Sequence, residues 1–130
     1  MFVKLKSAFV FGINAYGVEV EVDSSRGLPA FAIVGLADNA IKESKERVRS
    51  ALLNSSIPFK ATRLTVNLSP ADIKKEGSQF DLPIAIAIAI VNGVEISKNL
   101  NEFLFAAELS LDGKLRPVSG ILPISIYAKK

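Results

Sequence analysis

Leu64–Ile90, LTVNLSPADIKKEGSQFDLPIAIAIAI, decides how this chain folds. Leu64, Val66 and Leu68 alternate with Thr65 and Asn67, the period of a half-buried strand, so a strand is expected over Thr62–Leu68 with Pro70 ending it. A charged Gly-Ser loop follows, and then Leu82–Val91, which is apolar on both faces. Its Ile-Ala alternation has the period of a strand, yet period alone does not separate a buried strand from a buried helix. Asp81 as N-cap and Pro83 in the first turn favour the helix. A charged loop between two buried elements is where a nucleophile, a phosphate or a partner is held.

On the N-terminal side, Lys4–Ile13 alternates in part and Tyr16–Val22 alternates cleanly, with Gly12–Ala15 between them as a turn, which predicts a β-hairpin. Ala30–Val34 reads as a short buried strand. Asp38–Asn54 reads as a helix: Asp38 is its expected N-cap, Ile41, Val48, Ala51 and Leu52 form its apolar stripe, and Glu43 is placed to pair with Arg47 one turn on. On the C-terminal side, Phe103–Leu109 is an expected buried strand, Asp112-Gly113 a turn, Lys114–Val118 a short strand and Ile121–Lys130 a final helix. No stop signal follows that helix, so the chain is expected to be cut within it. The order predicts an α+β sandwich, a mixed sheet with helices on one face.

Composition narrows the chemistry. The 130 residues are 49% hydrophobic and 22% charged, which suits one globular domain. The run Leu82–Val91 falls well short of the roughly 20 residues that span a bilayer. The chain has no cysteine and no histidine, which excludes disulfides, Cys/His zinc sites and imidazole-based catalysis and suits a cytoplasmic location. Asp23, Asp38, Asp72, Glu76 and Asp81 lack metal-loop spacing, so no metal site is expected. The net charge of +3 permits an acidic partner without demanding one.

Two groups of residues are candidates for binding. Lys74, Lys75, Gly77 and Ser78 precede an expected helix N-terminus, where backbone N–H groups and lysines can hold an anion; the competing reading is a solvated loop in which Gly77 permits a positive-φ turn. Lys42, Lys45, Arg47 and Arg49 can meet a nucleic-acid backbone, although Glu43 and Glu46 interrupt them as on a solvated face. Lys60, Arg63, Lys114 and Arg116 are weaker candidates of the same kind. Phe9, Phe11, Phe31, Phe80, Phe103 and Phe105 sit in apolar runs and are expected in the core rather than as stacking platforms.

The segments FVFGINAYGVEVEVDSSRGLPAFAIVGLADNAIKESKERVRSALLNS and RLTVNLSPADIKKEGSQFDLPIAIAI resemble the N-terminal domain of the ComM/YifB family, bacterial Mg-chelatase-like ATPases. The resemblance runs from about Val3 to Gly120. It implies a domain similar to the proteolytic domain of Lon, on the scaffold of ribosomal protein S5 domain 2. It also implies a following AAA+ module that binds ATP and Mg, a hexameric assembly of the whole protein, action on branched DNA during transformation, and no membrane association. No Gly-x4-Gly-Lys-Ser/Thr pattern occurs here, since Gly113-Lys114 is followed by Leu115.

Lon-type proteases use a serine whose proton is taken by a neutral lysine. Set against Lon's Lys-Asp-Gly-Pro-Ser-Ala-Gly loop, Lys75–Asp81 places Gln79 at the nucleophile. A slip of one residue restores Ser78 but misplaces the glycine. Set against Lon's Pro-Ile-Gly-Gly-Leu-Lys, Pro117–Leu122 places Leu122 at the lysine. The resemblance therefore implies no catalytic residue, and the expected role is assembly or substrate guiding within an ATPase. The alternatives are a nucleic-acid-binding module and a degenerate amidase that uses Ser78.

Overall fold

The computed structural model describes residues 1–60 and 62–129. Strands β1 (Phe2–Phe11), β2 (Asn14–Ser25), β3 (Ala30–Val34) and β4 (Arg63–Ser69) form one sheet in the order β1-β2-β4-β3. β1 and β2 are an antiparallel hairpin, β2 pairs antiparallel with β4, and β3 pairs parallel with β4. Helix α1 (Asp38–Asn54) makes the crossover from β3 to β4 that a parallel pair requires. Helix α2 (Asp81–Val91), a 3-10 turn at Leu100–Glu102, the small ladder β5 (Glu108–Leu109) with β6 (Leu115–Arg116), and α3 (Ile121–Lys129) complete the chain. Lys130, the last residue of the expected final helix, lies outside the described residues.

The register explains where the core forms. Val20 stands opposite both Leu5 and Leu68, and Val66 opposite both Val22 and Ile33, so one face of the sheet is a continuous apolar layer. Val48, Ala51 and Leu52 of α1 and Phe80, Ile84, Ala87 and Ile88 at α2 close it. α2 lies against α1, β1, β2 and β5, which is why it has no polar face: its alanines let neighbours approach while its isoleucines fill the gaps between them.

The other face of the sheet is polar in its middle. Lys4 pairs with Glu19 at 2.9 Å, and Asn67 Nδ2 donates to Glu21 at 2.8 Å. At the hairpin end this face is apolar, where Ala8 stands opposite Gly17 and Val10 opposite Ala15. There α3 packs: a side chain added at Gly17 would run into Tyr127, and one added at Gly120 would run into Val10. The expectation of helices on one face is thus corrected. α1 and α2 share a face and α3 takes the other, because the small residues of the hairpin leave room for it.

Several boundaries also differ from expectation. The strand expected over Phe103–Leu109 shrinks to Glu108–Leu109, with Leu104 making a single bridge to Lys6, and that expected over Lys114–Val118 shrinks to Leu115–Arg116. Phe80 is core, but Phe11 is 75% exposed at the hairpin tip and Phe103 is 43% exposed. The N-cap of α1 is Ala37 and that of α2 is Phe80; neither aspartate caps its helix.

Two substitutions test this packing. Ile84→Ala, at a fully buried position, is expected to cost about 2–5 kcal/mol of unfolding free energy in urea titrations. Gly35 has φ +93° and faces the carbonyl of Leu68, so Gly35→Ala combines strain with a backbone collision and is expected to cost about 1–3 kcal/mol from strain alone.

Candidate functional site

The loop from the end of β4 to the start of α2 holds the expected catalytic and anion positions. Lys75 is its centre. The Lys75 backbone N–H donates to Gly35 O at 2.9 Å, and the Ala37 N–H donates to Lys75 O at 2.8 Å, so the loop pairs with the β3–α1 connection as a bridge of parallel type. This turns the Lys75 side chain inward, where it is 1% exposed. Its Nζ donates to Leu68 O at 2.7 Å and to Pro70 O, satisfying carbonyls at the end of β4. Burial holds the Lys75 amine below its ordinary range, opposed by the nearby charge of Asp72. Lys75 is therefore corrected from a solvated or anion-holding lysine to a buried internal cation. Its neighbour Lys74 is exposed and pairs with Asp38 at 3.1 Å, so the two lysines diverge.

The positions aligned with a Lon-type nucleophile lie next in the loop. Gly77 has φ +99°, and a side chain there would meet the Gln79 carboxamide. Gln79 is buried; its Nε2 donates to Glu76 O at 3.3 Å, and its backbone carbonyl accepts from Ala107 N at 3.1 Å. Ser78 is half-buried, and its carbonyl accepts from Asp81 N at 3.1 Å. The lysine amine in this loop is bonded to main-chain carbonyls, not to a hydroxyl. Leu122 is 70% exposed on α3, across the sheet from α2.

Asp81 organises the inner side of the site. Its carboxylate is 1% exposed and accepts from Ser44 Oγ at 2.9 Å, from Arg47 Nε at 2.6 Å and Nη2 at 3.2 Å, and from the backbone N–H of Leu109 at 3.2 Å. Burial pushes the Asp81 carboxyl up, and the Arg47 guanidinium, the Leu109 amide and the Ser44 hydroxyl push it back. The bond to Asp81 raises Arg47 in turn. Arg47 thus leaves the nucleic-acid candidates, and its ion partner is Asp81 rather than Glu43. Sequence reasoning missed this cluster by assigning Asp81 to a cap. The available signal was Ser44 and Arg47, three apart on one side of a helix, followed by an aspartate inside an otherwise apolar segment.

The remaining basic candidates stay at the surface. Lys42, Lys45 and Arg49 recur at three- and four-residue spacing along α1, with Lys45 Nζ 5.8 Å from the ring centre of Phe31 and the Arg49 guanidinium 5.8 Å from that of Phe59. Arg63 starts β4, Arg116 is in β6, Lys60 is exposed before β4, and Lys114 closes the β5–β6 turn. Among the described residues no group of acidic side chains is arranged to hold a metal ion, and no helix is long and apolar enough to cross a membrane.

Arg47→Ala leaves the Asp81 carboxylate buried without its counter-ion and is expected to cost about 3–5 kcal/mol in urea unfolding. Lys75 sets an alkaline dependence. Its folded-state pKa lies below the ordinary 10.5, so the unfolded chain holds more protons between the two values. Lys75 therefore contributes a rise in stability as pH climbs through that window and none above it. Urea midpoints measured against pH should show this rise in the wild type and lose it in Lys75→Met; identical slopes would contradict it.

Comparison with known proteins supplies the lineage. The family described as subunit ChlI of Mg-chelatase matches residues 20–130. Competence protein ComM of Haemophilus influenzae is 47% identical over 119 residues, 92% of this chain and 23% of that protein. YifB of Escherichia coli is 43% identical over 119 residues, 92% of this chain and 24% of that protein. A Mycobacterium bovis relative is 41% identical over 124 residues, 95% of this chain and 25% of that protein. The chain spans about a quarter of the length of the curated relatives it matches. It belongs to the Mg-chelatase ChlI-subunit family, among the homologues of ComM and YifB.

Proposed function

We propose that this chain is a non-catalytic, Lon-like N-terminal module that assembles, or guides substrate to, a bacterial AAA+ ATPase acting on DNA. One observation carries the reading: a ChlI-family sequence has a glutamine and a leucine where a serine–lysine dyad would stand. The surroundings of Gln79 support it. A buried carboxamide bonded back to Glu76 is no nucleophile, and the nearby amine of Lys75 is already held by carbonyls. Loss of both dyad members removes most of the transition-state stabilisation that such a pair supplies.

ATP and Mg belong, in this reading, to the remainder of the protein. The residues here do not fit a nucleotide. Gly113-Lys114 lies in the β5–β6 turn, where the Lys114 N–H donates to Asp112 and its carbonyl accepts from Ser110 N–H, not in a glycine-rich loop that opens a helix. The same reading places the whole protein in the cytoplasm as a hexamer, with branch migration during transformation as its setting; the Haemophilus relative is named as a competence protein.

A nucleic-acid-binding module is the second reading, favoured by the Lys42, Lys45 and Arg49 row. Under it, DNA affinity of the chain falls steeply with salt, because phosphate contacts release counter-ions.

The full-length protein is expected to hydrolyse ATP while residues 1–130 alone do not; turnover by this chain alone would overturn the division. A fluorophosphonate probe is expected to leave Ser78 unlabelled, and labelling would restore the amidase reading.

A further inference from the structure

The sheet order leaves β3 at an edge. Ala30 N donates to Thr62 O at 3.4 Å, which sets the phase of the β3–β4 ladder. Successive residues of a strand direct their backbone groups to alternate sides, so Ala30, Ala32 and Val34 address β4. Phe31 and Ile33 then point their N–H and C=O groups out of the sheet. Protein edges of this kind are usually blunted by a charge, a proline or a bulge. Ala30–Val34 has none of these, and its ladder to β4 is unbroken.

The flanks of this edge have distinct chemistry. On the helix side run Lys45 and Arg49, set over Phe31 and Phe59, whose ring centres are 5.7 Å apart. A hollow of about 270 Å³ at the start of the strand is lined by Pro29, Phe31, Arg49, Phe59, Lys60 and Thr62. Glu43 lies well around α1 from Lys45 and Arg49, while Glu46, three residues before Arg49, borders the row with a single carboxylate, since a helix turns about 100° per residue. On the opposite face the edge shows the small uncharged side chains of Ala30 and Ala32, with Val34 exposed beyond them.

We propose that β3 receives an extended acidic peptide as an added strand. Its main chain bonds to Phe31 and Ile33, its carboxylates meet Lys45 and Arg49, and its alternate apolar side chains lie beside Ala32 and Val34. A second copy of this chain fits poorly. Antiparallel pairing of two β3 strands places both α1 helices on one face and sets their Lys45 and Arg49 rows against each other. A nucleic acid fits less well than a peptide, because it has no donor–acceptor repeat to match the strand, and cations already lie over both phenylalanine rings. The inference stands on the edge geometry and does not depend on the ATPase assignment.

The test is fluorescence anisotropy of the full chain with a labelled peptide alternating glutamate and valine. Saturable binding is expected, weakened about tenfold or more by Lys45→Glu with Arg49→Glu. It is also expected to be lost when alternate peptide amides are N-methylated, a change that leaves the protein untouched. No binding at low salt would overturn the proposal. So would undiminished binding of the N-methylated peptide, or its displacement by oligo-dT of equal charge, which would make the surface a general polyanion site.

Discussion

A carboxylate removed from water must be matched by donors, and Asp81 is matched from three directions at once. α1 supplies Ser44 and Arg47, the end of β5 supplies the Leu109 amide, and the aspartate itself belongs to α2. No one of these elements can shift without leaving a charge buried and unpaired, which is among the more expensive defects in a protein interior. The apolar contacts between Ile-Ala-rich α2 and its neighbours are non-directional. The Asp81 cluster gives the helix its register and direction.

Lys75 applies the same rule with the opposite sign. Its amine satisfies carbonyls at the end of β4 while its backbone stitches the loop to the β3–α1 connection. Together the two buried charges bracket Glu76–Phe80. They leave this segment filled and held, with Gln79 folded back on Glu76 in place of an exposed attacking group.

The hairpin, α1, β4 and α2 were legible because each has a dominant local signal: alternation in Tyr16–Val22 and Leu64–Leu68, a 3.6-residue stripe in Ile41–Leu52, and Pro83 inside an apolar run. The C-terminal third was over-read as strand. Phe103–Leu109 is apolar enough for one, but up to Ala107 its backbone is held by separate bonds to Lys6, Gln79 and Leu82, and only Glu108–Leu109 joins a ladder. The cap assignments failed for a related reason. Asp38 and Asp81 are of the right residue type but stand one position past the N-cap, and their carboxylates pair with Lys74 and Arg47 instead. Lys75 was unreadable locally, since Lys-Lys-Glu-Gly looks like solvated loop until the bridge to Leu36 turns one lysine inward.

By itself, the sequence determined the order and type of the main elements and the family, because periodicity, motif spacing and residue identity are local properties of the chain. Only the tertiary structure decided which charges are buried, which face of the sheet α3 covers, and that the edge of β3 is open beside a row of cations. Those outcomes depend on groups distant in sequence meeting in space, where desolvation and hydrogen-bond matching set the energy and no local pattern records the partner.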